Sequence, residues 1–173
     1  MNPTMILSQL GSRDRMLFLR WSLNDASYRW RRIWTLLTHA GGATATILAA
    51  VAPFFIGGEI AKVGAQALFT LAASHIVVQL VKRTVGRPRP SRATESVAHV
   101  VEPDRFSFPS GHAAAAMSVA FVYAMAFPSL AVPLVMVAAV VGASRVVLGV
   151  HYPGDVLVGQ LIAVLTGIIA LHF

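Results

Sequence analysis

Apolar residues gather in five runs, near 36–57, 60–81, 111–128, 130–148 and 155–172, each parted from the next by turn-forming or polar residues. About 20 mostly apolar residues suffice for an α-helix to cross a bilayer, so each run is predicted to span a membrane. Gly57-Gly58 separates the first pair, and Pro128 and Pro133 punctuate the passage from the third run to the fourth. Before residue 36 the pattern changes. There Met16, Leu17, Leu19, Trp21, Leu23, Trp30, Ile33 and Trp34 are interleaved with Arg13, Asp14, Arg15, Arg20, Asp25, Arg29, Arg31 and Arg32. Such mixing suits a segment lying along the membrane interface, with tryptophan and arginine at headgroup depth, better than a span or a signal peptide. The expected fold is an all-α integral membrane helical bundle. It comprises about five transmembrane helices within residues 36–173, preceded by an interfacial amphipathic segment over residues 1–35.

Composition sharpens this picture. A length of 173 residues suits one domain. Charged residues make up 12% of the chain and hydrophobic ones 56%, against roughly 25% charged in soluble domains. Without cysteine there is neither a disulfide framework nor a thiolate metal site. The seven acids are too few to favour a hydrolase with two carboxylate-held metals, and neither a metal nor another cofactor is expected. The net charge of +7 raises the question of nucleic acid. Here, however, the cations stand between apolar runs, so membrane lipids or a phosphate group are the expected partners and nucleic acid is not.

With alternating spans, the N-terminal segment, the long 82–108 connection and the short 149–154 connection share one face. Nearly every cation lies there, while Lys62 stands alone on the other. The positive-inside rule makes the charged face cytoplasmic. Catalytic use of the loop cations would account for part of this bias, so the six N-terminal arginines carry the inference.

Three separated clusters reach that face: "KRTVGRPRP" at 82–90, "PSGH" at 109–112 and "SRVVLGVHYPGD" at 144–155. Ser110 is placed to cap a helix whose first free amides, at Gly111 and His112, point out of its end. Those N–H groups and the helix dipole attract an anion, and glycine allows close approach. Lys82, Arg89 and Arg145 add fixed positive charge at the ends of other helices, which together suits a phosphate. His151 and Asp155 are four apart across "YPG", with Pro153 suited to a first helical turn. A carboxylate there can accept the Nδ1–H of His151 and leave Nε2 as a nucleophile. His112 then serves as the second imidazole, giving its proton to a leaving oxygen.

The pattern Lys-x6-Arg-Pro, Pro-Ser-Gly-His and Ser-Arg-x5-His-x3-Asp resembles the type 2 phosphatidic acid phosphatase (PAP2) superfamily. All three motifs match without gap or substitution, and the likeness covers roughly the last two-thirds of the chain. The resemblance implies that His151 forms a phosphohistidine, assisted by Asp155. It also implies that His112 protonates the leaving group and then activates water. Lys82, Arg89, Arg145, Ser110 and the Gly111 amide would hold the phosphoryl oxygens. The superfamily also includes soluble vanadate-dependent haloperoxidases, but five spans point to its lipid phosphatases. Many members have six spans, and here the charged segment 1–35 stands in place of the first. That shortness resembles the short bacterial inner-membrane members acting on polyprenyl diphosphates or on phosphorylated lipids, and undecaprenyl diphosphate is the first substrate expected. Phosphatidylglycerol phosphate, phosphatidate and polyprenyl-phosphosugar phosphates remain alternatives, and oligomeric state is not read from the sequence.

Other residues invite plainer readings. Ala113 to Ala116 suit close helix packing. Arg83, Arg87, Arg92 and Arg105 fall outside the motifs and are expected at lipid headgroups. His39 and His75 are expected as packing residues within spans, a haem-ligating pair being the alternative. His99 and His172 are expected in solvent, and Glu59 with Lys62 as a surface pair. A protein that binds lipid phosphate or transports an anion without catalysis is the competing class, and His151 beside Asp155 is what such a protein would not need.

Overall fold

The computed structural model describes residues 3–22, 27–94 and 96–172. Their regular structure is helical, apart from one isolated bridge between Pro88 and Phe106. The α-helices are α1 (Pro3–Trp21), α2 (Tyr28–His39), α3 (Ala43–Val51), α4 (Gly58–Val85), α5 (Pro90–Ala93), α6 (Gly111–Ala126), α7 (Ala131–Val147) and α8 (Pro153–Ala170). Tyr28–Phe55, Gly58–Val85, Pro128–Val147 and Pro153–Ala170 are long and apolar enough to cross a membrane, and α6 is a shorter apolar helix.

The five expected spans thus have helical counterparts, with two shifts. The first begins at Tyr28 rather than near 36 and bends at Gly41-Gly42, where Gly42 caps α3. Arg29, Arg31 and Arg32 are exposed on α2, and long arginine stems allow a helix to start at headgroup depth while the charge stays in water. Pro133 lies in the first turn of α7 instead of a hinge, a position where its missing N–H costs no helical bond. In the N-terminal segment α1 is helical and touches α7 and α8. Leu23 and Asp25, counted with that segment, fall outside the described residues.

Helix α6 is the centre of the bundle and packs on α3, α4, α7 and α8. Ala113, Ala114, Ala116, Ala120 and Ala124 are buried, and their small side chains let the neighbouring backbones come close. Polar groups between helices find partners inside the bundle, as hydrocarbon surroundings demand. The Ser74 and Ser118 hydroxyls lie 2.8 Å apart between α4 and α6, and the Gln160 amide of α8 donates to Ala138 O of α7 at 3.0 Å. Outward, Leu157, Leu161, Leu165 and Ile168 form an exposed apolar stripe on α8 at helical spacing. Glu59 and Lys62 pair at 2.7 Å at the start of α4.

What matters for the site is where helices end. α4 stops at Gly86, whose positive φ of 62° suits a left-handed cap and whose N–H bonds Lys82 O, with Lys82 and Arg83 in the last turn. α7 ends with Arg145 in its last turn, α6 begins at the Ser110 cap, and α8 begins with Asp155 in its first turn. Two cation-bearing C-termini and two N-termini therefore meet at one end of the bundle.

Candidate active site

Main-chain bonds stitch the three sequence clusters together. Ser107 N donates to Arg87 O at 2.8 Å, and Ser110 N donates to Asp155 O at 2.9 Å. The amides of Val150 and His151 both donate to Arg145 O, at 3.1 and 3.2 Å. Close approach depends on small residues: a Cβ on Gly159 would stand 2.5 Å from Ser110 O, so α8 can lie against the Pro-Ser-Gly-His turn only as it is. Lys82, Arg89, Ser110, Arg145, His151 and Asp155 are all buried, and Gly111 and His112 are half-buried at the α6 terminus. The ring of His112 lies within the electrostatic reach of Arg145, His151 and Arg89.

Arg89 is central. Its Nη1 donates to Val150 O at 3.0 Å and lies 3.3 Å from His151 Nε2. A guanidinium only donates, so Nε2 is the acceptor and carries the lone pair, and the neutral ring's proton is on Nδ1. Burial pulls the His151 pKa down to about 4; the nearby Asp155 carboxylate opposes that fall, and the charges of Arg145 and Arg89 reinforce it. At neutral pH the imidazole is uncharged. Nδ1 faces Asp155 Oδ2 at 3.6 Å, beyond hydrogen-bond range, and has no other partner.

Arg145 offers unused capacity. Its Nη1 donates to the buried Thr38 hydroxyl at 2.9 Å, while its Nε is buried without a partner. A buried guanidinium N–H left unmet is costly unless an anion completes it. At the head of α6, the Ser110 hydroxyl accepts from Ala113 N at 3.4 Å, and the first-turn amides of Gly111 and His112 lack acceptors within the helix. These donors can receive phosphoryl oxygens beside an imidazole lone pair.

Two groups of residues escape the sequence patterns. Arg87, expected at headgroups, is instead half-buried and bound to two carboxylates, Asp155 Oδ1 and Asp14 Oδ2, each at 2.7 Å from Nη1. Its guanidinium also lies 3.9 Å from the centroid of the Tyr152 ring. Burial alone would lower its pKa, but Asp155 and Asp14 together raise it. Asp14 of α1 further accepts from Gly154 N at 2.8 Å, and Phe18 of α1 is buried with its ring 5.3 Å from that of Tyr152. Asp104 is the second: it binds both Lys82 and Arg89, at 3.0 Å each. Arg83, Arg92 and Arg105 are exposed and, with Gln79, Lys82, Asp104 and Phe106, line a cavity of about 440 Å³. His75 lies 3.5 Å from Gln79 on the outer surface of α4, and His39 is exposed at the end of α2 beside the site. His99, expected in solvent, is half-buried with its amide bonded to Leu148 O at 3.0 Å. Among the described residues no three His, Asp or Glu side chains gather as a metal site requires.

Fold and site together define an integral membrane helical protein with a buried, cation-rich polar site where its helices end. Residues 64–173 match the PAP2 superfamily, and the chain belongs to it. It is 34% identical over 105 residues to a lipid A 1-phosphatase of Rhizobium johnstonii, an alignment covering 58% of this chain and 43% of that protein. It is 38% identical over 96 residues to the decaprenylphosphoryl-5-phosphoribose phosphatase of Mycobacterium tuberculosis, covering 56% and 52%. The matched stretch thus spans about half the length of these curated relatives. The crystal structure of Aquifex aeolicus LpxE superposes with a TM-score of 0.79 at 26% identity, covering 91% of this chain and 94% of that one.

Proposed function

We propose that this chain is a metal-independent lipid phosphatase that removes the terminal phosphate from a polyprenyl-anchored substrate through a phosphohistidine at His151. The observation that carries the reading is the uncharged His151 ring, with its Nε2 lone pair turned toward Arg89 among buried cations. In this reading Nε2 attacks phosphorus, the bond from phosphorus to the leaving oxygen breaks with its electron pair, and His112 supplies a proton to that oxygen. Asp155 stabilises the positive charge that develops on the ring. Water, losing a proton to His112, then attacks phosphorus, the Nε2–P bond breaks with its electron pair returning to His151, and inorganic phosphate leaves. Lys82, Arg89, Arg145 and the Gly111 amide hold the oxygens whose charge grows in the transition state.

A lipid phosphate lies at headgroup depth while its tail stays in hydrocarbon, which suits a site at the helix ends. Undecaprenyl diphosphate is the substrate expected from the sequence. The Mycobacterium tuberculosis relative, by its name, acts on a polyprenyl-phosphosugar phosphate, and a polyprenyl carrier is common to both. The test is phosphate release by the full chain in EDTA across undecaprenyl diphosphate, polyprenyl-phosphosugar phosphate, phosphatidate and phosphatidylglycerol phosphate. Release should be fastest from the polyprenyl compounds and blocked by orthovanadate. His151→Ala should abolish it in a protein that still extracts and melts as the parent does. Full activity in that variant removes the nucleophile, and an absolute need for added divalent metal removes the two-histidine scheme.

A further inference from the structure

Asp104 stands on the donors that the phosphatase reading assigns to phosphate. Its Oδ1 accepts from Arg89 Nη2 at 3.0 Å and from Lys82 Nζ at 3.2 Å, and its Oδ2 accepts from Lys82 Nζ at 3.0 Å. Its carbonyl oxygen takes Arg89 Nε at 2.6 Å, and Phe106 O takes Lys82 Nζ at 3.1 Å. With Val150 O and His151 Nε2 on Nη1, Lys82 Nζ and each guanidinium nitrogen of Arg89 have at least one acceptor, and Asp104 supplies most of them.

The two sides of this pairing are unequal. The cations are buried on the bundle, whereas the Asp104 side chain is 33% exposed on the connecting segment. Asp104 also borders the 440 Å³ cavity whose other walls carry Arg83, Arg92 and Arg105, so a carboxylate leaving Lys82 and Arg89 moves among further cations. Partial burial pushes its pKa up, but hydrogen bonds and charge from Lys82 and Arg89 outweigh that and keep it below the usual carboxylate range.

We propose that Asp104 is a specificity-determining residue: a tethered anion in the phosphate cradle that admits doubly charged phosphoryl groups and rejects singly charged phosphodiesters. A membrane-embedded site meets the phosphodiester headgroups of bulk lipid at its own depth and in great excess. Exchanging a carboxylate for a diester swaps one negative charge for one and brings two free oxygens, so Lys82 and Arg89 gain nothing. A phosphomonoester, or the end of a diphosphate, brings two charges and three free oxygens, and the exchange becomes favourable. Asp104 thus filters by charge what the generic apolar walls cannot distinguish.

This inference rests on the phosphatase reading, and its test separates the two. Orthovanadate binding to the full chain in nonionic micelles, at a pH alkaline enough for the doubly charged HVO4²− ion to dominate, is read by calorimetry, which needs no turnover, so a chain that releases no phosphate sinks only the phosphatase reading. Asp104→Asn keeps the side chain's size, and Asp104→Ser also removes the charge should the amide perturb the fold; melting curves report on both. Each is expected to bind vanadate about ten-fold more tightly than the parent. Phosphatidylglycerol, compared with dioleoylglycerol at equal mole fraction, should displace vanadate from the variants and not from the parent. Glu102→Gln removes the same charge from the same segment without touching either cation, its carboxylate being bonded to Ser91 Oγ, and should behave as the parent. Unchanged or weaker vanadate binding in both folded Asp104 variants, or equal phosphatidylglycerol competition in parent and variants, overturns the filter and leaves Asp104 as a support for the two cations.

Discussion

His151 illustrates how much a residue's chemistry owes to its surroundings. An exposed imidazole is protonated about half the time near pH 6.5. Here burial and two guanidinium groups push that point to about 4 against the pull of Asp155, so the lone pair is present throughout the neutral range. The same displacement ties stability to pH. Between 6.5 and about 4 the unfolded chain binds the proton and the folded one does not, so stability falls as pH falls across that window and is complete above it. The expected measurement is an NMR titration of ring-labelled histidine in micelles, with the His151 signal turning over near pH 4. A midpoint near 6.5 would mean that the ring is wet, and the proposed nucleophile would then be largely idle in mildly acidic conditions.

At the scale of elements, the surprise is how α1 engages the site. Asp14 holds Arg87 at 2.7 Å, Arg87 holds Asp155 at the same distance, and Asp155 stands 3.6 Å from the His151 ring proposed as the nucleophile. The helix is fastened a second time by Phe18 against Tyr152. Asp14→Asn keeps the bond to Gly154 N but weakens the grip on Arg87, so Arg87 is free to pull Asp155 away from the ring. We expect kcat to fall about ten-fold with KM nearly unchanged, since a hydrogen bond to a charged group is worth about 1.5–3 kcal/mol and none of these atoms binds substrate. A rise in KM alone would place Asp14 with substrate binding. Spans, caps and the three motifs were legible because their signals are local: hydrophobic runs, Ser110 before Gly111, Pro153 opening α8. Asp14, Arg87 and Asp104 were not. Asp14 meets Gly154 from 140 residues away and Arg87 meets Asp155 from 68, and no periodicity or spacing reports contacts that only tertiary packing creates. The scarcity of acids was the available hint, because a carboxylate among so many arginines rarely stays alone.

At the scale of the whole molecule, charge divides the bundle into two unlike ends. The site, the 82–108 connection and the arginines of α1 and α2 share one end, while Lys62, paired with Glu59, marks the other. Arg87, Arg89, Arg145 and Lys82 are engaged inside the protein, so they say little about topology. Arg13, Arg15, Arg20, Arg29, Arg31 and Arg32 are not part of that site, and their position is what the positive-inside rule counts. On that count we expect the site on the cytoplasmic side of the membrane. The absence of cysteine makes the test direct, because a single introduced thiol is unique. Val101 beside the site is 89% exposed, and the charged Glu59 side chain at the opposite end, beyond the Tyr28–Phe55 span, is 84% exposed, so both positions present a side chain to reagent. Val101→Cys should react with an impermeant maleimide only after the membrane is opened, and Glu59→Cys should react in intact spheroplasts. The reverse pattern would mean that the basic end is exported, that its charge serves lipid phosphate instead of orientation, and that the substrate must be sought in the outer leaflet.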